Sequence, residues 1–346
     1  MEAPTPDAPA PTWTAPPGTW GLHASDVQGP LGRVEPAWEL HLDAPVTSSP
    51  AATGQALYVH AGDRLVRVDL QGRIAWSVDV AGQAPPLYAD NAVFVAQGRR
   101  MVSRSAVDGR QLLDMDAFGE PRGEALVRGD EVVWVTRSGR LVSSAGWYVE
   151  EALSASAGPS QDEDRLWFPT DEGELIALKG RELDWVAPLG GPGAQRVAFD
   201  GERLLVVTAP YGGERGSVRC YRAFDGELLW ERLLLLKASG APAWHPRAGW
   251  LVAEASGVIY ALDPESGSLN WTVELGEGLS TGLVVARERA WVGSPSGKVW
   301  QLDLDDGVVW GHVEVGSAVV GGLSVSEGLL TVGTADGRLI ALKSAP

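Results

Sequence analysis

The sequence predicts an all-β protein: an eight-bladed β-propeller of four-stranded antiparallel blades, closed by the N-terminal strand completing the last blade. Three observations carry this expectation. Tryptophans recur at intervals near 40 residues from Trp38 to Trp310. Within each interval, short Val-, Leu- and Trp-rich runs alternate with glycine-containing turns. After Trp310 only 36 residues remain, enough for three strands, while an unmatched strand stands near the start of the chain.

The markers in order are Trp38, Trp76, Asp114, Trp147, Trp185, Trp230, Trp271 and Trp310, spaced by 38, 38, 33, 38, 45, 41 and 39 residues. A period of this length signals a solenoid, a propeller or an array. No stretch carries an apolar helical period over 11 or more residues with caps, and a parallel β-helix needs a shorter repeat. Four short strands per period is the arithmetic of a propeller blade.

Taken in order, "VTSSPAA", "ALYVHA", "RLVRVDL" and "RIAWSVDV" (residues 46–80) supply the four strands of a first blade. The next six blades end near residues 116, 150, 187, 232, 275 and 315. The last segment offers "AVVGGLSVS", "GLLTVGT" and "GRLIALK", and its missing outer strand is the orphan "RVEPAWELHL" around Trp38. Joining the two ends removes an open sheet edge, an aggregation hazard. Ser256-Gly257, Ser296-Gly297, Asp306-Gly307 and Asp336-Gly337 mark hairpin turns. Ahead of the ring, residues 1–18 are Pro/Ala-rich and read as an extended tether. Residues 19–346 read as one propeller domain.

The recurrent indole has a structural reading. Adjacent twisted blades splay apart at their outer portions, and a large flat side chain there fills the wedge and offers its N–H to a carbonyl. A turn glycine such as Gly267 lets backbone pass close to an indole. Ala177, Ala261 and Ala341, each before a leucine, suit tight contact between blades.

Composition sets the outer limits. Hydrophobic residues make up 45% and charged residues 21%, so the chain can bury a core. Gly 43 and Trp 15 against Phe 5 fit many turns and one repeated aromatic position. A formal net charge of −17 excludes wrapping nucleic acid and disfavours anionic membrane surfaces. No apolar run approaches a membrane helix, so direct membrane insertion is not expected. Residues 1–17 lack the basic and apolar regions of a signal peptide. The compartment therefore stays open between the cytoplasm and a mature exported form.

The pattern Ala-x-Asp-x-x-x-Gly-x-x-x-Trp at Ala261–Trp271 resembles the tryptophan-docking motif of the pyrroloquinoline-quinone (PQQ)-like propeller repeat family. The N-terminal "TWGLHASDVQGPLGRVEPAWELHL" is similar to the opening of those proteins. The resemblance spans residues 19–343 and is clean in blade six. Elsewhere it is degraded: Asp114 replaces the blade-two Trp, Arg67 and Gln301 replace the Ala, and blade three has a shortened turn. It implies an eight-bladed ring, usually exported to the bacterial periplasm or envelope, and it does not by itself imply PQQ. Quinoprotein dehydrogenases of this fold hold PQQ over a vicinal disulfide beside Ca²⁺. Cys220 is the one cysteine of this chain, so that disulfide cannot form, and the metal-holding Glu, Asn and Asp have no matching positions.

A search for other chemistry finds none. The histidines His23, His41, His60, His245 and His312 show no ligand spacing. Asp303, Asp305 and Asp306 of "DLDDG", and "QDED" at 161–164, read as turn residues. No nucleophile elbow, Walker loop or dinucleotide fingerprint is present. No catalytic, cofactor-binding or metal residue is therefore assigned.

Interaction loops are the remaining candidates. The longest interval, 45 residues, places its extra length in "APYGGERGS", where Tyr211 serves as anchor and Arg215 as polar partner. "PAWHPRAGW" offers Trp244 and His245 at a strand junction. Leu233–Leu236, after Trp230, form a docking surface if exposed and core if covered. The expected function is a non-catalytic scaffold of the cell envelope, binding partner proteins through rim loops. In kind it is similar to the propeller lipoprotein of the outer-membrane β-barrel assembly machinery. The alternative is a small-ligand or cofactor-binding sensor, or a quinoprotein-like enzyme.

Overall fold

A computed structural model describes residues 29–80, 82, 84–150, 154–193, 195–209 and 215–346. The tether read at residues 1–18 lies outside these. The described residues form 32 strands in eight four-stranded antiparallel sheets and contain no α-helix. Each sheet is one blade with its strands in the order inner, second, third, outer. Blade 1, for example, comprises Ala51–Ala52, Ala56–Ala61, Arg64–Asp69 and Ile74–Asp79. Blade 8 has the inner, second and third strands Val319–Ser326, Leu329–Thr334 and Arg338–Ser344, and its outer strand is Val34–His41. Trp38 pairs with Ala341, so the first β-segment closes the ring as expected.

Burial explains the strand sequences. Second strands are covered on both faces: every residue of Ala56–Ala61 and of Gly249–Ala253 is buried. They therefore read as nearly continuous apolar runs, interrupted in blade 1 by the buried His60. Outer strands such as Leu269–Glu274 and Val309–Glu314 alternate between exposed and half-buried residues. The apolar core divides into eight clusters, one at each junction between neighbouring blades.

Five indoles bridge from an outer strand to the next blade. Their Nε1–H groups donate to backbone carbonyls in that blade's turn between third and outer strands. The pairs are Trp38 to Leu70, Trp76 to Ala106, Trp185 to Ala223, Trp230 to Pro264 and Trp271 to Leu304, at 2.9–3.3 Å. A glycine of the same turn lies against each ring. A Cβ added to Gly267 would sit 2.6 Å from Trp230, and one added to Gly307 would sit 2.5 Å from Trp271. Both glycines are left-handed, at φ +67 and +73, so close approach and backbone conformation demand the same residue.

Three markers differ from expectation. Trp310 lies inside an outer-strand bulge, and Gly311 pairs with Gln301 where the other blades place their indole. Trp310 is instead 53% exposed and stacks beneath the Arg289 guanidinium, 4.0 Å away. In blade 2 the equivalent register position is Leu113, opposite Ser103, while Asp114 pairs with Val102 and makes a salt bridge to Arg100. Trp147 of blade 3 donates to Glu131 of its own blade, 2.7 Å, and carries Arg181 of the next turn over its face.

Candidate functional site

A propeller offers two rims and an axial channel. One rim carries the turns between second and third strands together with the connections from each outer strand to the next blade. On that rim a pattern of three positions recurs. The outer strands of blades 1, 2, 6 and 7 end on exposed acids, Asp79, Asp116, Glu274 and Glu314. The next residue is buried and apolar: Val80, Ala117, Leu275 and Val315, as also Leu189 of blade 4 and Leu42 of blade 8. A left-handed residue then turns the chain inward, as at Asp43, Phe118, Gly190, Gly276 and Gly316.

Blade 5 departs at two of these three positions. Its outer strand, Leu228–Leu233, ends on Leu233, which is 72% exposed. Leu234 keeps the buried position, donating its N–H to Gly216 O at 2.9 Å. Leu235 replaces the left-handed residue without adopting a positive φ, and is 65% exposed. The apolar run is thus split: Leu234 is core, while Leu233 and Leu235 face solvent. Arg215 and Lys237, both exposed, flank them, with Gly216 against the Lys237 backbone. In a chain of net charge −17, this is an apolar edge bordered by cations where blades 1, 2, 6 and 7 present acids. Tyr211 lies outside the described residues.

The second predicted loop is placed differently. Trp244 and His245 belong to the inner strand of blade 6, Ala243–His245. Trp244 is half-buried and packs on Trp250, with ring centroids 4.9 Å apart. His245 is 4% exposed. Its Nε2 meets Arg287 O at 2.8 Å, and its Nδ1 accepts the amides of Arg247 and Ala248. Burial holds its pKa below the usual histidine value. These bonds tie two blades together and are separate from the leucine edge.

The axial channel opens on the leucine rim through a cavity of about 220 Å³ lined by small residues including Ser48, Ser239, Ser280 and Thr281. Two of these hydroxyls are spent between blades: Ser239 Oγ donates to Thr281 O and Ser280 Oγ to Val319 O, at 2.7 and 2.6 Å. Among the described residues no charged or aromatic side chain lines this mouth. A planar quinone with three carboxylates needs cations and flat apolar faces, so these residues do not fit PQQ. Elsewhere, buried Arg196 and half-buried Glu124 form an ion pair at 3.2 Å. Burial lowers the Arg196 pKa to about 10 against the opposing pull of Glu124.

On the opposite rim a groove of about 600 Å³ runs past Arg165, Arg203, Arg222 and the exposed Phe224. Its arginines are already engaged, with Asp184, Asp200 and Asp225 among their partners. The aspartates of "DLDDG" serve their own turn: Asp303 accepts the Asp305 amide and Asp306 accepts that of Val308. No group of three or more His, Cys, Asp or Glu side chains is placed to hold a metal among the described residues. Cys220 is buried, which raises its thiol pKa.

The closed ring and its repeated inter-blade indoles define the class: an eight-bladed propeller of PQQ-like repeats. The family model described as "Outer membrane protein assembly factor BamB" matches residues 34–129, 128–248 and 255–345, and the chain belongs to that family. No curated protein sequence matches it significantly. The crystal structure of BamB from Moraxella catarrhalis is similar, with TM-score 0.72 and 15% identity, covering 90% of this chain and 100% of that one. The quinohemoprotein alcohol dehydrogenase of Comamonas testosteroni has TM-score 0.73 at 12% identity, covering 98% and 82%. A computationally designed protein, Ika8, has TM-score 0.72 at 13% identity, covering 87% and 98%. BamB, a dehydrogenase and a design share the fold, so the fold alone does not select a function.

Proposed function

We propose that this protein is a non-catalytic interaction scaffold of the bacterial cell envelope that docks a partner protein on the rim of blades 5 and 6. The observation that carries the reading is Leu233 and Leu235, both exposed and bordered by Arg215 and Lys237, at a position where the outer strands of blades 1, 2, 6 and 7 end in exposed acids. Leaving two leucines in water is unfavourable by roughly 25 cal/mol per Å² of apolar surface, and a partner recovers that area. The matching partner segment carries apolar side chains for the leucines and carboxylates for the two cations, because electrostatic complementarity sets orientation and encounter rate. Membership of the BamB family supports an envelope assembly as the setting.

Photo-crosslinking residues placed at positions 233 and 235 of the full chain, in the cells that make it, are expected to trap the same adduct. The same groups at positions 79 and 274 are expected to trap none. Charge reversal at Arg215 and Lys237 should lower the yield at least fivefold, more at low salt than at high salt. Equal yields from all four positions would sink the proposal. A cofactor role is tested separately: at 100 times its Kd a ligand adds about 2.7 kcal/mol of stability. No change in Tm is expected with PQQ and Ca²⁺, and a saturable rise would overturn the non-catalytic reading.

A further inference from the structure

The inference rests on the docking reading and concerns what holds the leucine edge in shape. In blades 3, 4, 5, 7 and 8 the second strand ends at or immediately before a buried hydroxyl residue: Thr136, Thr170, Thr208, Ser294 and Thr334. In four of these the hydroxyl accepts the amide four residues on, closing the turn to the third strand, at 3.0–3.2 Å. Backbone bonds put Glu254 at the same place in blade 6. Its N–H donates to Val258 O at 2.8 Å, as Thr136 does to Arg140 and Thr170 to Glu174. Blade 6 therefore buries a carboxyl, 0% exposed, where a hydroxyl serves elsewhere.

That carboxyl reaches back into the preceding blade. Oε2 accepts the Leu235 amide at 3.2 Å and Oε1 the Leu236 amide at 2.8 Å. Ser256 Oγ and Tyr260 Oη donate to it as well, each at 2.8 Å. Four donors meet the requirement that a buried carboxylate be hydrogen-bonded. The arrangement also answers a local need. The blade 5 connection lacks the left-handed residue of its counterparts, so the amides of Leu235 and Leu236 point where an acceptor must be supplied. Glu254 supplies it.

We infer that Glu254 is a positioning residue: its buried carboxylate clamps the Leu235–Leu236 backbone so that Leu233 and Leu235 are preformed for the partner. Clamping lowers the ordering cost of binding, so the effect is read in partner capture as well as in the loop itself.

The test uses the full chain and the variants Glu254→Thr, which restores the hydroxyl of the other blades, and Glu254→Gln, which keeps one carbonyl acceptor. Hydrogen exchange at the Leu235 and Leu236 amides should speed up at least tenfold in Glu254→Thr and less in Glu254→Gln. Exchange in blades 1 and 2 should stay unchanged, which shows that the ring is folded. Crosslinking from position 233 should fall at least fivefold in Glu254→Thr and recover in part in Glu254→Gln. Unchanged exchange at the two amides in folded Glu254→Thr overturns the clamp. Faster exchange with full crosslinking overturns its role in docking. Absence of any adduct from position 233 in the unsubstituted chain defeats the docking reading itself, and the exchange comparison then still decides the clamp.

Discussion

The junction between blades 6 and 7 and the junction between blades 7 and 8 begin from turns of similar sequence and end differently. Trp271 leaves blade 6, places its N–H on Leu304 O and lies against Gly307 of blade 7. Blade 7 has no such landing point ahead of it. The third strand of blade 8 ends at Ser344 and its outer strand begins at Val34, so the joining turn that would receive an indole does not exist. The two chain ends meet there instead: the Leu31 amide donates to Ser344 Oγ and the Ala345 amide to Arg33 O, at 2.8 and 2.7 Å. Each of the five bridging indoles meets a continuous turn of the next blade, and the ring closure interrupts one.

This contrast can be broken most directly at Trp271. Trp271→Ala should cost about 3 kcal/mol, the low end of the range for truncating an aromatic because the indole is half-buried, measured as a lowered urea midpoint. A loss below about 1 kcal/mol would show that the indole merely covers the surface. Next in size, acid should weaken the ring at His60. This histidine is 1% exposed, and burial lowers its pKa from 6.5 to about 4. The fold favours the neutral ring, so stability is complete above about pH 6.5 and is lost as the pH falls toward 4. Over that window the loss is on the order of 3 kcal/mol, and His60→Leu should flatten the slope in this range. Gly307→Ala should cost about 2–3 kcal/mol, because it combines a Cβ clash with the Trp271 ring and a strained positive φ. Trp310→Ala closes the series at about 0.5–1 kcal/mol, the worth of an exposed cation–π contact with Arg289. If Trp310→Ala proved as damaging as Trp271→Ala, the distinction between the junctions would fail.

Much of this was legible in residue order. The period near 40, the three-strand remainder after Trp310 and the orphan strand at Trp38 anticipate both ring and closure. The Trp310 shift also left a trace. Trp76, Trp230 and Trp271 each follow their turn glycine, Gly72, Gly226 and Gly267, by four residues, whereas Trp310 follows Gly307 by three. On an outer strand one residue exchanges the two faces, so a marker one place early points away from the next blade. Leu113 shows the same one-place error in blade 2, where Asp114 had marked the position.

The candidate site was only half legible. "WERLLLLKA" stands out as apolar, but a run of four leucines does not reveal which are covered. The separation of Leu234 from Leu233 and Leu235 comes from where the strand stops and which neighbour receives the turn. His245 looked like a rim residue because Pro and Trp surround it, yet its inner-strand position buries it against Arg287 O. In "LVAEASG" nothing in the linear sequence sets Glu254 apart. Its signal appears only when the five Thr and Ser residues ending the equivalent strands are aligned beside it.

By itself the sequence determined the fold class, the blade number and the route of closure, because these follow from periodic burial and chain length, which are one-dimensional properties. Only the tertiary structure decided which indoles bridge blades, which leucines face solvent and that Glu254 serves a loop 18 residues earlier. Those outcomes depend on the register of each outer strand and on contacts between blades. Both are set by the closed ring as a whole.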